Sequence, residues 1–195
     1  MKIIGITGRM GSGKTTIGEY LTIHLNIPVF DCDSAAKTAY NNEVIIGILK
    51  CKYGHKVVTA HGIDKKGLAD IIFNDNNEME FVKALVNPFI NDEFNKFKCK
   101  CNDLKLGVCA IESATLLSSK LYNECSFVLV KTTESDKVNI ERSIKRSYTY
   151  VSEEEIKSRL DKQMTNEQML KFNRTHEIKD SLLPDQIENF VYSLL

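Results

Sequence analysis

A glycine-rich segment near the start of the chain matches the pattern G-x-x-x-x-G-K-[ST] at every fixed position, from Gly8 to Thr15. In this pattern the glycines allow a tight turn whose amide groups face an anion. The lysine reaches the β- and γ-phosphates, and the hydroxyl can bind Mg²⁺. The segment therefore predicts a nucleoside triphosphate site. The predicted nucleotide-binding residues are Gly8, Arg9, Met10, Gly11, Ser12, Gly13, Lys14, Thr15 and Thr16.

The residues on either side of this phosphate loop support the same interpretation. Residues 2–7 form a short apolar run that is typical of a buried parallel strand, and a helix is predicted to begin at Thr16. The N-terminal end of that helix carries a partial positive charge, which favours phosphates at the same place. We expect the Arg9 side chain to face solvent, with an additional phosphate contact as the alternative.

Apolar runs and helical patterns alternate at both ends of the chain, which predicts an α/β fold with a parallel sheet flanked by helices. The predicted strands are 2–7, 27–30, 105–111, 127–130 and 177–178. An apolar stripe at helical spacing predicts a C-terminal helix, and its members are Ile187, Phe190, Val191 and Leu194.

Two segments interrupt this alternation. The first, about 42–102, has helical apolar spacing and is predicted to be a helical insertion between two strands rather than a separate domain. The second, about 134–173, is helical and charged, so it is either a solvated surface or a lid. We therefore predict one domain over 1–195, whose core consists of 1–41, 103–133 and 174–195.

Composition excludes several classes of protein. The 195 residues include 26 Lys and Arg and 26 Asp and Glu, so no basic field favours nucleic acid as a partner. No apolar run approaches the ~20 residues of a membrane span, and the N-terminus has no signal-peptide pattern. Six cysteines at spacings unlike a zinc site favour a reduced, cytoplasmic protein, in which Cys109 and Cys125 are small core residues.

Acidic residues follow two of the predicted strands. Asp31 and Asp33 come after the second strand, and Glu112 comes after the third. Ligands of open α/β sheets collect beyond the carboxyl ends of the strands, where a carboxylate can hold Mg²⁺. The predicted metal ligands are Thr15, Asp31 and Glu112. Helix capping by Asp33 and Ser34 is the structural alternative.

Transfer of a phosphoryl group to an alcohol needs a carboxylate that orients the hydroxyl and accepts its proton. Asp33 is the best candidate for this general base. Arg142 and Arg146 are four residues apart and so share one helix face, where a closing lid would use them to neutralise charge. The predicted catalytic residues are thus Asp33, Lys14, Arg142 and Arg146.

These motifs resemble the dephospho-coenzyme A kinase family, which has a P-loop fold of the nucleoside-monophosphate kinase type. The resemblance extends over nearly the whole chain. It rests on residues 4–8, 11–15, 29–33, 67–74, 86–90, Glu112, Leu116, 120–122, 127–130, Arg142, Arg146, Arg159 and Gln163. The family uses ATP and Mg²⁺ to phosphorylate the ribose 3′-hydroxyl of dephospho-CoA. The resemblance implies that Asp33 is the base, that Arg142 and Arg146 belong to the lid, and that the helical insertion binds the acceptor.

The chain departs from the family pattern at several positions. Asn87 replaces a histidine before Pro88, Ala114 and Ser118 replace a proline and an acid, and Arg9 replaces a small residue. Asp180 begins the segment that corresponds to an Asn-x-Gly linked to adenine recognition. Two other functions therefore stay open, a related nucleoside or nucleotide kinase and a nucleotide-dependent regulatory protein. The absence of an Asn/Thr-Lys-x-Asp motif disfavours the regulatory protein.

Overall fold

The computed structural model describes residues 1–60, 62–146, 152–180 and 183–193. The chain forms two compact units, one made of 1–30 and 101–195 and the other of 31–100. Residues 147–151 of the predicted lid and Leu194 of the predicted C-terminal stripe lie outside the described residues. The single-domain organisation, with its core, insertion and lid limits, stays a prediction.

A five-stranded sheet consists of β1 (Lys2–Gly8), β2 (Val29–Asp31), β5 (Val108–Glu112), β6 (Phe127–Lys131) and β7 (Thr175–Ile178), and all of its residues except Asp31 belong to the first unit. The strand order is β2-β5-β1-β6-β7. The central strand β1 pairs in parallel with both β5 and β6, and β6 pairs in parallel with β7. The predicted α/β fold with a parallel sheet is confirmed, with each strand within two or three residues of its expected limits.

Helices flank this sheet. They are α1 (Lys14–Leu25), α6 (Asp136–Arg146), α7 (Glu153–Asp161), α8 (Asn166–Leu170) and α9 (Leu183–Tyr192), with short 3₁₀ turns at Leu116–Ser118 and Lys120–Glu124. The main core joins β1, β5 and β6 to α1 and α9, and the predicted C-terminal stripe supplies Ile187 and Val191 to it. Cys109 and Cys125 are buried, as predicted. Burial of the Cys125 thiol raises its pKa to about 12, so at neutral pH it is an unreactive packing group.

The second unit is mostly helical, as the apolar spacing predicts. It contains α2 (Cys32–Ala39), α3 (Glu43–Tyr53), α4 (Lys65–Asn74) and most of α5 (Asn76–Asp103). Its core is built from apolar residues of these helices together with Val57 and Val58. The unit also contains an antiparallel hairpin, β3 (Val58–Thr59) and β4 (Gly62–Ile63), which could not be predicted because strands of two residues are too short to show alternation.

No helix among the described residues combines the length and the apolar character that crossing a membrane requires.

Candidate active site

The phosphate loop connects β1 to α1 and is held in a tight turn. Gly11 and Gly13 have φ of 74° and 93°, in the left-handed region that favours glycine. A Cβ on Gly11 would overlap the carbonyl oxygen of Asn139 in α6, so the loop and α6 pack backbone to backbone. The Ser12 amide donates to the Arg9 carbonyl at 3.1 Å. The predicted loop is therefore formed, and α6 lies directly against it.

Polar groups of the loop suit an anionic ligand. The Lys14 Nζ donates to the Arg9 carbonyl oxygen at 3.1 Å, which keeps its ammonium over the loop. The hydroxyls of Thr7 and Ser12 are buried and have no hydrogen-bond partner among the described residues. A buried hydroxyl without a partner is costly, and phosphate oxygens would satisfy it. The loop therefore fits the phosphates of a nucleotide.

The predicted magnesium ligands in the first unit, Thr15 and Glu112, are in contact. The Thr15 hydroxyl donates to Glu112 Oε1 at 3.0 Å. The absence of a side chain at Gly18 makes room for the same carboxylate, because a Cβ there would lie 3.0 Å from Oε2. Within residues 1–60, 62–146, 152–180 and 183–193 there is no group of three or more His, Cys, Asp or Glu that could hold a metal. Two oxygen ligands fit Mg²⁺, which in nucleotide sites takes its remaining ligands from phosphates and water.

A cavity of about 360 Å³ opens beside the loop. Its lining residues are Gly11, Gly13, Thr16, Lys131, Arg142, Lys145, Arg146 and Asp180. Four of these side chains are cationic and one is anionic, so the cavity favours a ligand of high negative charge. The structure thus brings the predicted arginine pair, Arg142 and Arg146, to the same cavity as the loop glycines.

Lys131, at the end of β6, is the most unusual residue of this cavity. Its side chain is 2% exposed and forms an ion pair with Asp180. Asp180 also accepts a hydrogen bond from Arg142 Nη2 at 2.9 Å. Burial alone would raise the pKa of Asp180, but the hydrogen bonds from Lys131 and Arg142 outweigh burial and lower it. Asp180 therefore fixes two cations at the wall of the cavity.

We expect the substitution Asp180→Asn to destabilise the protein by about 1–3 kcal/mol at neutral pH. The substitution leaves the buried Lys131 charge uncompensated, and the partial exposure of Asp180 reduces the cost. Because the pKa of Asp180 is lowered in the folded state, the ionised carboxylate adds to the free energy of unfolding above the unfolded-state pKa of about 3.9. This stabilisation is lost as the pH falls through the lower folded-state pKa.

The measurement is the free energy of unfolding in urea for the wild type and the variant, taken from neutral pH down to pH below about 4. The stability gap is expected to close in acid. The matched control is Asp92→Asn, which removes an exposed ion pair to Lys96 and should have little effect at any pH. A gap of the same size at neutral and acid pH would contradict the assigned ion pair.

The Arg9 side chain does not face solvent as expected. It is 6% exposed, it forms an ion pair with Asp136, and its Nη2 donates to the Leu160 carbonyl at 2.7 Å. A buried guanidinium needs such partners, and α6 and the end of α7 supply them. The solvent-facing expectation is therefore wrong, whereas the backbone of Arg9 belongs to the loop as predicted.

Asp31 and Asp33 lie at the end of β2 and the start of α2. Asp31 is the helix cap, because its Oδ1 accepts from the amides of Asp33 and Ser34 at 2.8 and 3.2 Å. The alternative of capping by Asp33 or Ser34 is therefore wrong. Asp33 is an exposed residue of the first helical turn. Both aspartates belong to the second unit, whereas the loop, Glu112 and Arg142 belong to the first.

Sequence reasoning missed Lys131 and Lys145 as residues of the cavity. A signal for Lys131 was present, since it ends an apolar strand in the same way that Glu112 does, and polar residues at strand ends face the ligand edge of such sheets. Lys145 lies one residue before Arg146 on a helix with several charged residues, and no sequence pattern distinguishes it from them.

Comparison with known proteins identifies relatives of this chain. A family model described as dephospho-CoA kinase matches residues 2–179. A dephospho-CoA kinase of Porphyromonas gingivalis is 29% identical over 179 residues, which cover 91% of this chain and 85% of that protein. A dephospho-CoA kinase of a Nostoc strain is 32% identical over 97 residues. That alignment spans 49% of this chain and only half, 50%, of the length of the Nostoc protein.

A solved structure has the same fold over the full chain. The crystal structure of TT1252 from Thermus thermophilus superposes with a TM-score of 0.81 at 25% identity, covering 100% of this chain and 98% of that one. The architecture of the sheet and its flanking helices is thus shared with a solved protein.

Proposed function

Because the chain belongs to the dephospho-CoA kinase family, we propose that it transfers the γ-phosphoryl group of ATP to the ribose 3′-hydroxyl of dephospho-CoA. The observation that carries this proposal is the cationic cavity formed by the phosphate loop with Lys131, Arg142, Lys145 and Arg146. Phosphoryl transfer proceeds with little covalent participation by the protein, so positioning and positive charge account for most of the catalysis. We place the reaction in the cytoplasm.

The phosphate loop binds the donor. Its inward amides hold the phosphate oxygens, and Lys14 places a positive charge at the β- and γ-phosphates. Thr15 and Glu112 would hold Mg²⁺, which would neutralise charge on the phosphates. Asp31 would supply a further carboxylate to the same ion, in addition to its role as the cap of α2.

Asp33 is the general base. It follows the last residue of β2 by two positions, in the first turn of α2, where the helix dipole favours the charged carboxylate. The carboxylate accepts the proton of the acceptor hydroxyl as the hydroxyl oxygen bonds to the γ-phosphorus. The bond from that phosphorus to the β,γ-bridging oxygen breaks, and ADP leaves with the electron pair.

Arg142 and Arg146 stabilise the negative charge of the transferring group. The Arg142 Nη2 atom lies 2.9 Å from Asp180 Oδ2, so its guanidinium lies at the cavity with a carboxylate as its partner. A phosphate could replace Asp180 as the partner of Arg142, because phosphate and carboxylate oxygens both accept hydrogen bonds from a guanidinium.

A coupled assay of ADP release tests this function. The protein is incubated with ATP, Mg²⁺ and one acceptor at a time from a panel of dephospho-CoA, nucleosides and nucleotides. We expect ADP release above the acceptor-free rate with dephospho-CoA. Release that depends on nucleosides alone would contradict the proposed acceptor and favour a related nucleoside kinase. Release that no acceptor stimulates would contradict a kinase function altogether.

A further inference from the structure

The buried Arg9 side chain fastens the phosphate loop to two helices that are far away in the sequence. Its ion-pair partner Asp136 lies in the first turn of α6, and its second acceptor, the Leu160 carbonyl, lies near the end of α7. Asp136 is itself half exposed, so the pair extends from the interior to the surface. A guanidinium binds two acceptors at once because its donors have fixed directions.

The next two residues of the loop are held by the same pair of helices and by Gln163, which follows the end of α7 by two residues. The Met10 amide donates to Gln163 Oε1 at 2.9 Å, and the Met10 side chain packs on Ile140, Ile156 and Leu160. Gly11 packs on the backbone of Asn139 in α6. Residues 9–11 are therefore anchored to α6 and α7 through an ion pair, a backbone hydrogen bond and an apolar contact.

The backbone of Arg9 links this anchor to the catalytic lysine. The Arg9 carbonyl oxygen accepts from Lys14 Nζ at 3.1 Å and from the Ser12 amide at 3.1 Å. The side chain of Arg9 thus fixes the residue whose carbonyl orients Lys14. On α6, Arg142 follows Asn139 by three residues. The helix whose Asp136 binds Arg9 therefore also carries Arg142, which lines the cavity.

We propose that Arg9 is a positioning residue. By tying the phosphate loop to α6 and α7, it fixes the position of Lys14 relative to Arg142. It acts through the Arg9 carbonyl on Lys14 and through Asp136 on α6. Its Nη atoms bind Asp136 and the Leu160 carbonyl, so the side chain is not a phosphate ligand. The effect on kcat rests on the proposed kinase function. The effect on ATP affinity is measured without acceptor and does not depend on which acceptor the protein uses.

The test compares Arg9→Met, Arg9→Lys and Asp136→Asn with the wild type in kcat, in KM for each substrate and in ATP affinity measured by calorimetry without acceptor. We expect Arg9→Met to lower kcat and ATP affinity about ten- to hundredfold, as hydrogen bonds to charged groups contribute that much. KM for the acceptor should change little. Arg9→Lys should restore part of the loss, because an ammonium can keep the ion pair but not both contacts.

The Asp136→Asn variant and the double variant with Arg9→Met test the connection itself. If Arg9 acts through Asp136, the double variant should lose no more kcat than Arg9→Met alone. The matched control is Arg174→Met. This substitution also removes a guanidinium hydrogen bond to a carbonyl, the one from Arg174 Nη1 to Cys125 at 2.7 Å. Both residues lie just before the first residues of β7 and β6, at the ends of these strands opposite to the cavity. The control should retain wild-type kcat and ATP affinity.

A merely structural role would lower the thermal midpoint of Arg9→Met and leave kcat and ATP affinity at wild-type values below that midpoint. That result would overturn the proposal, and so would additive losses in the double variant. If Arg9→Met does not fold, unchanged kcat and ATP affinity in Asp136→Asn would overturn it instead. If the wild type phosphorylates no acceptor, the proposed function fails, while the calorimetric comparison still decides the role of Arg9.

Discussion

The substitution Asp33→Asn is expected to lower kcat by about 10²- to 10⁴-fold, the range that general-base catalysis contributes, while ATP affinity stays at its wild-type value. An amide matches the carboxylate in size but cannot take the proton of the acceptor hydroxyl. Asp33 does not cap α2, because Asp31 does, so the substitution leaves the helix start intact. The measurement is kcat from ADP release together with ATP affinity from calorimetry.

The chain offers a matched control for this variant. Asp64 is also an aspartate at the start of a helix of the second unit, where it caps α4 by accepting from the amides of Lys66 and Gly67. Asparagine caps helices about as well as aspartate, so Asp64→Asn should retain both activity and stability. A wild-type rate in Asp33→Asn would remove Asp33 from the role of base.

The second large effect is expected for Lys14→Ala, which should lower kcat by about 10²- to 10³-fold, as loss of a preorganised charge at the transferring group does. ATP affinity should fall too, in contrast to Asp33→Asn, because the proposed role of Lys14 includes binding the donor phosphates in the ground state. The two variants are therefore distinguished by ATP binding even if their rates are equal.

The control is Lys100→Ala, since Lys100 is an exposed lysine in the last turn of α5. It should behave as the wild type in both measurements. Tight ATP binding by Lys14→Ala would contradict the role of Lys14 in holding the donor phosphates, and an unchanged kcat would contradict its catalytic role.

The sheet and the phosphate loop could be predicted because their physical causes are local in the sequence. Strands such as Phe127–Lys131 are buried along their whole length, so they are continuous apolar runs. The loop needs glycine at positions of positive φ, and this need is visible as Gly11 and Gly13. Glu112 could be placed near the loop because ligand sites follow the ends of such strands, and Arg142 because it shares a helix face with Arg146 in a segment predicted as a lid.

The partners of Arg9 and Lys131 could not be predicted, because they depend on contacts between distant parts of the chain. Arg9 meets residues 127 and 151 positions away, and Lys131 meets a carboxylate 49 positions away. In the sequence, an arginine in a loop and a lysine after a strand are both typical of exposed positions. Only tertiary packing shows that each is buried against a carboxylate.

The proposed acceptor oxygen is the ribose 3′-hydroxyl of dephospho-CoA. The most direct test is ³¹P NMR of the product formed from ATP, Mg²⁺ and dephospho-CoA, with the Asp33→Asn variant as the negative control. We predict one new phosphomonoester resonance coupled to the ribose H3′ proton, formed as ATP is converted to ADP. A phosphate on any other oxygen, or conversion of ATP to ADP and inorganic phosphate with dephospho-CoA unchanged, would contradict the account.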